Sequence, residues 1–180
     1  MIASQPAVAA LNVRAKHAWV RATVWSPFRV SSRVPVTVLV DSGAGGGNYA
    51  SETFIGTVQS TLPGKEQKSI IAPVGRVYLR AANPQTSNTP PMKVIGTCIL
   101  PLVFKRVDRV FQVTARVVTG LPYAIVIGTA FLWEYHSVLS FNEAEGFKPT
   151  PGLPWVQLIG PNPESQPSPL EYSETGISFA

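Results

Sequence analysis

The sequence predicts an all-β domain, and three observations carry that expectation. Residues 19–25 (WVRATVW) and 111–118 (FQVTARVV) alternate side chains with the two-residue period of a half-buried strand. Residues 36–40 (VTVLV) and 125–127 (IVI) are short apolar runs of the kind that lie inside a sheet. Helical periodicity is confined to brief stretches, so helices should be few and short.

In chain order, Val20, Ala22 and Val24 form the inner face of a first strand, with Trp19, Arg21, Thr23 and Trp25 opposite. The run 36–40 is a buried strand that ends at Asp41. Residues 51–58 could form a weak helical turn. Residues 77–79 and 94–100 flank RAANPQTSNTPPMK, whose prolines and asparagines describe a long projecting hairpin loop. In 111–118, Phe111, Val113, Ala115 and Val117 share one face. The strand 125–127 is ended by Gly128. Residues 130–136 place Phe131 and Tyr135 one helical turn apart with Leu132 beside them, enough for about two turns packed on a core. From residue 148 prolines recur and the charge turns acidic, with a possible anchor at 155–159 (WVQLI). The expected organisation is an N-terminal extension (1–17), one domain (18–147) and a Pro-rich acidic tail or linker (148–180).

Composition narrows the function classes. The 180 residues are 45% hydrophobic and 14% charged, the profile of a folded chain with a real core. Residues 1–133 hold 14 Lys and Arg against 4 acids (+10), and residues 134–180 hold 1 against 6 (−5), which together make the net charge of +5. The bases are scattered and no aromatic–basic reading motif accompanies them, which argues against nucleic acid as a partner. One cysteine and two histidines make neither a disulfide framework nor a structural zinc site, and they fit a reducing compartment. No metal and no cofactor is expected. No apolar run approaches the ~20 residues of a membrane span. The first residues, MIASQPAVAALNVRAK, lack the pattern of a secretory signal. The expected location is therefore the cytoplasm or an intracellular particle rather than the secretory route, with no membrane partner.

The stretch VTVLVDSGAGGGN, residues 36–48, poses the chemical question. A dinucleotide fingerprint would place a third glycine where Asn48 stands, and a Walker loop would need a lysine that is absent. An acid ahead of the glycines would also repel a pyrophosphate. A serine triad would have to recruit Ser42 with His17 or His136, but no nucleophile-elbow pattern surrounds Ser42. Cys98 lies in a strand pattern, where a buried thiol is the ordinary role. Asp41 remains, an acid at the end of a buried strand followed by a turn. Taken alone, Asp-Ser-Gly is a common turn tripeptide and reads better as a structural Asx-turn.

A second segment, LPYAIVIGTAFLWEYHSVLSF (residues 121–141), changes that balance. It places Val126, Ile127 and Gly128 before a short helix and a further strand. Together the two segments resemble the retropepsin-like aspartic proteases, especially those of gypsy-type LTR-retrotransposon polyproteins. The resemblance covers about residues 18–145, with both motifs in order and a hairpin between them. It implies a retropepsin-like acid-protease fold: a closed β-barrel-like domain with a flap hairpin and one short C-terminal helix, active as a two-fold dimer. It also implies that Asp41 is the catalytic acid, that Ser42 and Gly43 shape the paired loops, and that Ala44 lines the cleft. Ile127 and Gly128 would form the closing motif, and the flap would lie near Ala82, Asn83 and Pro84.

In such enzymes two carboxylates share one proton; one activates a water and the other polarises the scissile carbonyl. The chain has only two aspartates, and Asp108, in KRVDRV, has no Ser/Thr-Gly after it. A second Asp-Ser-Gly must then come from a second copy, so the expected partners are the chain itself and a polypeptide substrate. The expected activity is that of an aspartic endopeptidase processing a retroelement polyprotein. The alternative is a retropepsin-like dimerisation or peptide-binding module without useful turnover. Two departures from the family pattern stand out. Gly45, Gly46 and Gly47 follow Ala44 where a polar residue is usual. Thr129 and Ala130 follow Gly128 where Arg, Asp or Asn is frequent.

Overall fold

Alternation in the first strand becomes a sheet with a buried face. The computed structural model describes residues 18–26, 29–61, 70–79, 92–141 and 146–159. The expected N-terminal extension (1–17), the flap positions Ala82, Asn83 and Pro84, and residues 160–180 of the expected tail lie outside the described residues. Strand β1 (Trp19–Ser26) pairs antiparallel with β2 (Arg29–Val40), setting Val20 opposite Val38, Ala22 opposite Val36 and Val24 opposite Val34. All six side chains are buried. Cross-strand pairs of this kind join β-branched side chains on one pleated face, which is why the pattern reads so clearly in the sequence.

The remaining elements are β3 (Asn48–Ser51), α1 (Glu52–Ser60), β4 (Ala72–Leu79), β5 (Met92–Phe104), β6 (Phe111–Thr119), β7 (Ile125–Ile127), α2 (Thr129–Glu134), β8 (Val138–Leu139) and β9 (Phe147–Lys148). The main sheet runs β1-β2-β7-β3-β6-β5-β4, and β1 also pairs with β5 through Ala22–Phe104, Thr23–Val103 and Val24–Leu102. That second pairing closes the sheet on itself. Among the described residues the result is a closed all-β barrel with β4 attached outside the ring and two short helices, which bears out the expected fold class.

The interior holds two apolar clusters. The larger is built from the inner faces of β1, β2, β5, β6 and β7. Phe104, Phe111, Phe131 and Phe147 meet there mostly edge to face, with centroids 5.2–6.3 Å apart. Phe131 is the buried residue of α2, so this aromatic knot fixes the helix that follows Gly128. Burial of one such ring stabilises the fold by about 1.5–3 kcal/mol. The smaller cluster, Ala44, Tyr49, Leu79, Val94, Val118, Leu121 and Val126, lies beneath the loop that carries Asp41.

Three local features exceed the sequence expectation. The weak turn expected over 51–58 is a nine-residue helix, because the Ser51 hydroxyl caps it by accepting from the Phe54 N–H at 3.1 Å, and Ile55 and Val58 are buried. Trp19, on the face opposite Val20, is also buried: Tyr123 packs edge-on against it at 5.2 Å. Residues after 147 pack on the barrel as far as 159. Phe147 and Val156 exchange backbone hydrogen bonds of 2.9 and 2.7 Å, Val156 is buried, and the Ile159 N–H donates to the Trp19 carbonyl at 2.8 Å.

Candidate active site

Strands β2 and β7 run parallel, with Val40 beside Ile127. They therefore end at the same side of the barrel, and the loops leaving them lie against each other. The Asp41 N–H continues the ladder by donating to the Ile127 carbonyl at 2.9 Å. The backbone of Asp41 is thus fixed by a buried strand, while its carboxyl extends into the turn beyond.

Within that turn the Gly43 N–H donates to Asp41 Oδ1 at 2.8 Å, and the Ala44 N–H donates to the Asp41 carbonyl at 3.2 Å. Ser42 and Gly43 are exposed and Asp41 is half-buried. Partial burial pushes the Asp41 carboxyl above its ordinary range, and the N–H groups of Gly43 and Ala44 pull it back part of the way. An acid held this way retains its proton to a higher pH than a free aspartate.

Ala44 faces inward. It is fully buried in the smaller cluster, and its carbonyl accepts from both the N–H (3.1 Å) and the hydroxyl (3.3 Å) of Thr129. In the single chain its methyl therefore supports the loop from behind. Gly128 passes so close that a Cβ there would overlap the carbonyl oxygens of Gly47 and Ala44. The close crossing of the two loops is what requires glycine at this position.

Three residues outside the sequence expectation complete the site. Asn48 is buried, and its amide spans two elements: Oδ1 accepts from the Gly128 N–H at 3.1 Å and Nδ2 donates to the Thr114 carbonyl at 3.1 Å. Tyr49 is fully buried and its hydroxyl donates to the Gly45 carbonyl. Burial pushes the Tyr49 hydroxyl up, and the hydrogen-bonded Arg116 guanidinium partly offsets this. Thr129 is the third, bound to Ala44. A polar Asn opening an otherwise buried strand was the signal available in the sequence. The partners themselves lie 66 and 80 residues away and have no local signature.

His136, just beyond the end of α2, has φ of 50° and is exposed, Cys98 is buried within β5, and among the described residues no hydrogen bond joins Ser42 to a histidine. What the arrangement can do chemically is present one carboxyl, partly shielded from water and gripped by backbone donors, at the surface of a rigid two-loop platform.

No model of a known protein family matches the chain, and no curated protein matches it in sequence. The architecture does have a solved counterpart. The crystal structure of the retroviral protease-like domain of Ddi1 from Leishmania major matches 78% of this chain and 94% of that chain, with a TM-score of 0.53 at 12% identity.

The fold is retropepsin-like.

At that identity the likeness is one of architecture. In the retropepsin-like barrel described here the Asp41 loop and the Gly128 loop are the two that cross at one end. Among the described residues no helix is long and apolar enough to cross a membrane.

Proposed function

We propose that the chain is an aspartic endopeptidase that works as a homodimer, with the Asp41 carboxyls of two copies meeting across a two-fold axis. The observation that carries this reading is the grip on Asp41: its backbone is locked to Ile127 and its Oδ1 accepts from Gly43, while its carboxyl is held above the ordinary range. A raised affinity for protons is what a shared-proton pair needs, because one member must stay protonated while the other acts as base. The dimer follows from the count of aspartates, since Asp108 has no turn of the same kind around it.

In this reading a water between the two carboxyls loses its proton to the ionised Asp41 and attacks the scissile carbonyl. The protonated Asp41 polarises that carbonyl, and the proton gained by the base passes to the leaving amine. The substrate lies extended, held by backbone hydrogen bonds, with apolar pockets choosing side chains. The hairpin loop between β4 and β5 would cover it. The natural substrate is a retroelement polyprotein of which this domain is a part, and the Pro-rich segment leads toward the next domain.

The test is to incubate the wild type and Asp41→Asn with a peptide library from pH 4 to 7 and read cleavage by mass spectrometry. Wild type should cut and Asp41→Asn should not. Equal cutting by both overturns the reading, because cleavage would not depend on Asp41; no cutting by a dimeric wild type also overturns it and leaves a retropepsin-like module that binds without turnover.

A further inference from the structure

The three glycines after Ala44 present no side chains, and the guanidinium of Arg116 lies close to two of them, Gly46 and Gly47. Strands β3 and β6 pair in parallel with Tyr49 beside Arg116, so both side chains project from the same face of the sheet. Along β6, Val113, Ala115 and Val117 point into the main core, whereas Val118, two positions after Arg116, joins the smaller cluster beneath the Asp41 loop. Arg116 therefore lies on the face that backs this loop. Its guanidinium reaches the Tyr49 hydroxyl, which in turn holds the Gly45 carbonyl.

The glycines matter through what they lack. A Cβ built on Gly46 would lie 3.7 Å from Nη1 of Arg116, and one built on Gly47 would lie 4.0 Å from its Nε. Gly46 also has φ of 76°, a conformation that favours glycine. Side chains at these two positions would cover the guanidinium; two glycines leave it uncovered on that side. Arg116 is half-buried, and among the described residues no carboxylate pairs with it. A half-buried guanidinium without an acid, facing the flank of an acid-protease loop, is a charge in search of a carboxylate.

Resting on the endopeptidase reading, we propose that Arg116 is a specificity-determining residue that selects polypeptide substrates bearing an Asp or Glu on the flank of the cleft formed by Gly45, Gly46 and Gly47. The substrate backbone passes along the bare glycine segment, and its acidic side chain reaches Arg116 past Gly46 and Gly47. The run of glycines is then an opening that exposes a cation. The Tyr49 hydroxyl keeps the guanidinium aimed while leaving donors free, since arginine carries five.

The experiment compares cleavage of a peptide panel in which each position around the scissile bond is Glu, Gln or Lys in turn. Wild type should favour Glu at one flanking position by about tenfold in kcat/KM, the size of one hydrogen bond to a charged group. Arg116→Lys should keep that preference, and Arg116→Glu should reverse it toward Lys at the same position without changing the preferences elsewhere. A merely structural Arg116 would lower turnover of all peptides alike, and that result overturns the proposal. Should Arg116→Glu fail to fold, the wild-type panel alone decides: cleavage indifferent to Glu at every position overturns the proposal while leaving the endopeptidase intact. Absence of cleavage in the whole panel removes both readings together.

Discussion

The amide of Asn48 and the backbone N–H of Gly128 meet at 3.1 Å, joining the start of β3 to the loop that opens α2. This bond is buried and the Asn48 bond to the Thr114 carbonyl is part-buried, so losing the amide leaves an N–H and a carbonyl without these partners. Asn48→Ala should lower stability by about 1–3 kcal/mol, read by urea unfolding. Asn48→Asp should be worse at pH 7 than at pH 4, because a carboxylate there is both desolvated and unable to donate to Thr114. Unchanged midpoints in both variants would contradict the bridging role.

Gly128 tests the crossing of the two loops. A methyl at this position would overlap two backbone oxygens, and backbone yields less readily than a side-chain end. Gly128→Ala should cost about 1–3 kcal/mol or more, and Gly128→Val should cost more still. By contrast Gly56→Ala, where a Cβ meets nothing within 4 Å in an exposed turn of α1, should stabilise by a few tenths to about 1 kcal/mol. Thermal unfolding of the three variants distinguishes a steric requirement from a general sensitivity to glycine replacement.

Asp41 has a sign that can be checked. Its folded-state carboxyl titrates above the ordinary value of 3.8, with burial the larger cause and the Gly43 and Ala44 N–H groups opposing it. A raised value means that the stability linked to its protonation is fully present below pH 3.8 and is lost as pH rises through the folded-state value. Asp41→Asn, neutral at every pH, should therefore unfold at a higher temperature than wild type near pH 7. The difference should shrink toward zero as pH falls below about 4. A constant difference across pH 3–7 would mean that the carboxyl is not held above its ordinary range.

Cys98 should be inert. It is 4% exposed in the middle of β5, and burial pushes its thiol up to about 12. At pH 8 the folded protein should react with a thiol reagent far more slowly than the urea-unfolded chain, by a factor on the order of 10³. Equal rates would place Cys98 at the surface.

The legible part of this chain is the part whose physics is local. Alternation at Val20, Ala22 and Val24, and again at Val113, Ala115 and Val117, reports which side chains face inward, and these do. Gly128 before Phe131 marks the loop-to-helix step, and the helix begins at Thr129. Alternation does not say which strands become neighbours, so the pairing of β1 with β5 that closes the barrel had no sequence signal. The helix after Ser51 is longer than its sequence suggests because its strength comes from a cap and two buried residues, Ile55 and Val58, rather than from propensity. At the site, Asp41 and its turn were visible as a motif. Asn48, Tyr49 and Thr129 were not, since their contribution depends on partners brought close only by the fold.

The most direct measurement mixes wild type with Asp41→Asn at constant total concentration and follows peptide cleavage as the wild-type fraction falls. If two copies of Asp41 form one site, a mixed dimer holds one carboxyl and is inactive. Freely exchanging subunits should then give activity that falls as the square of the wild-type fraction. Activity falling in direct proportion to that fraction would mean that each chain acts alone, and would contradict a site shared between two copies of Asp41.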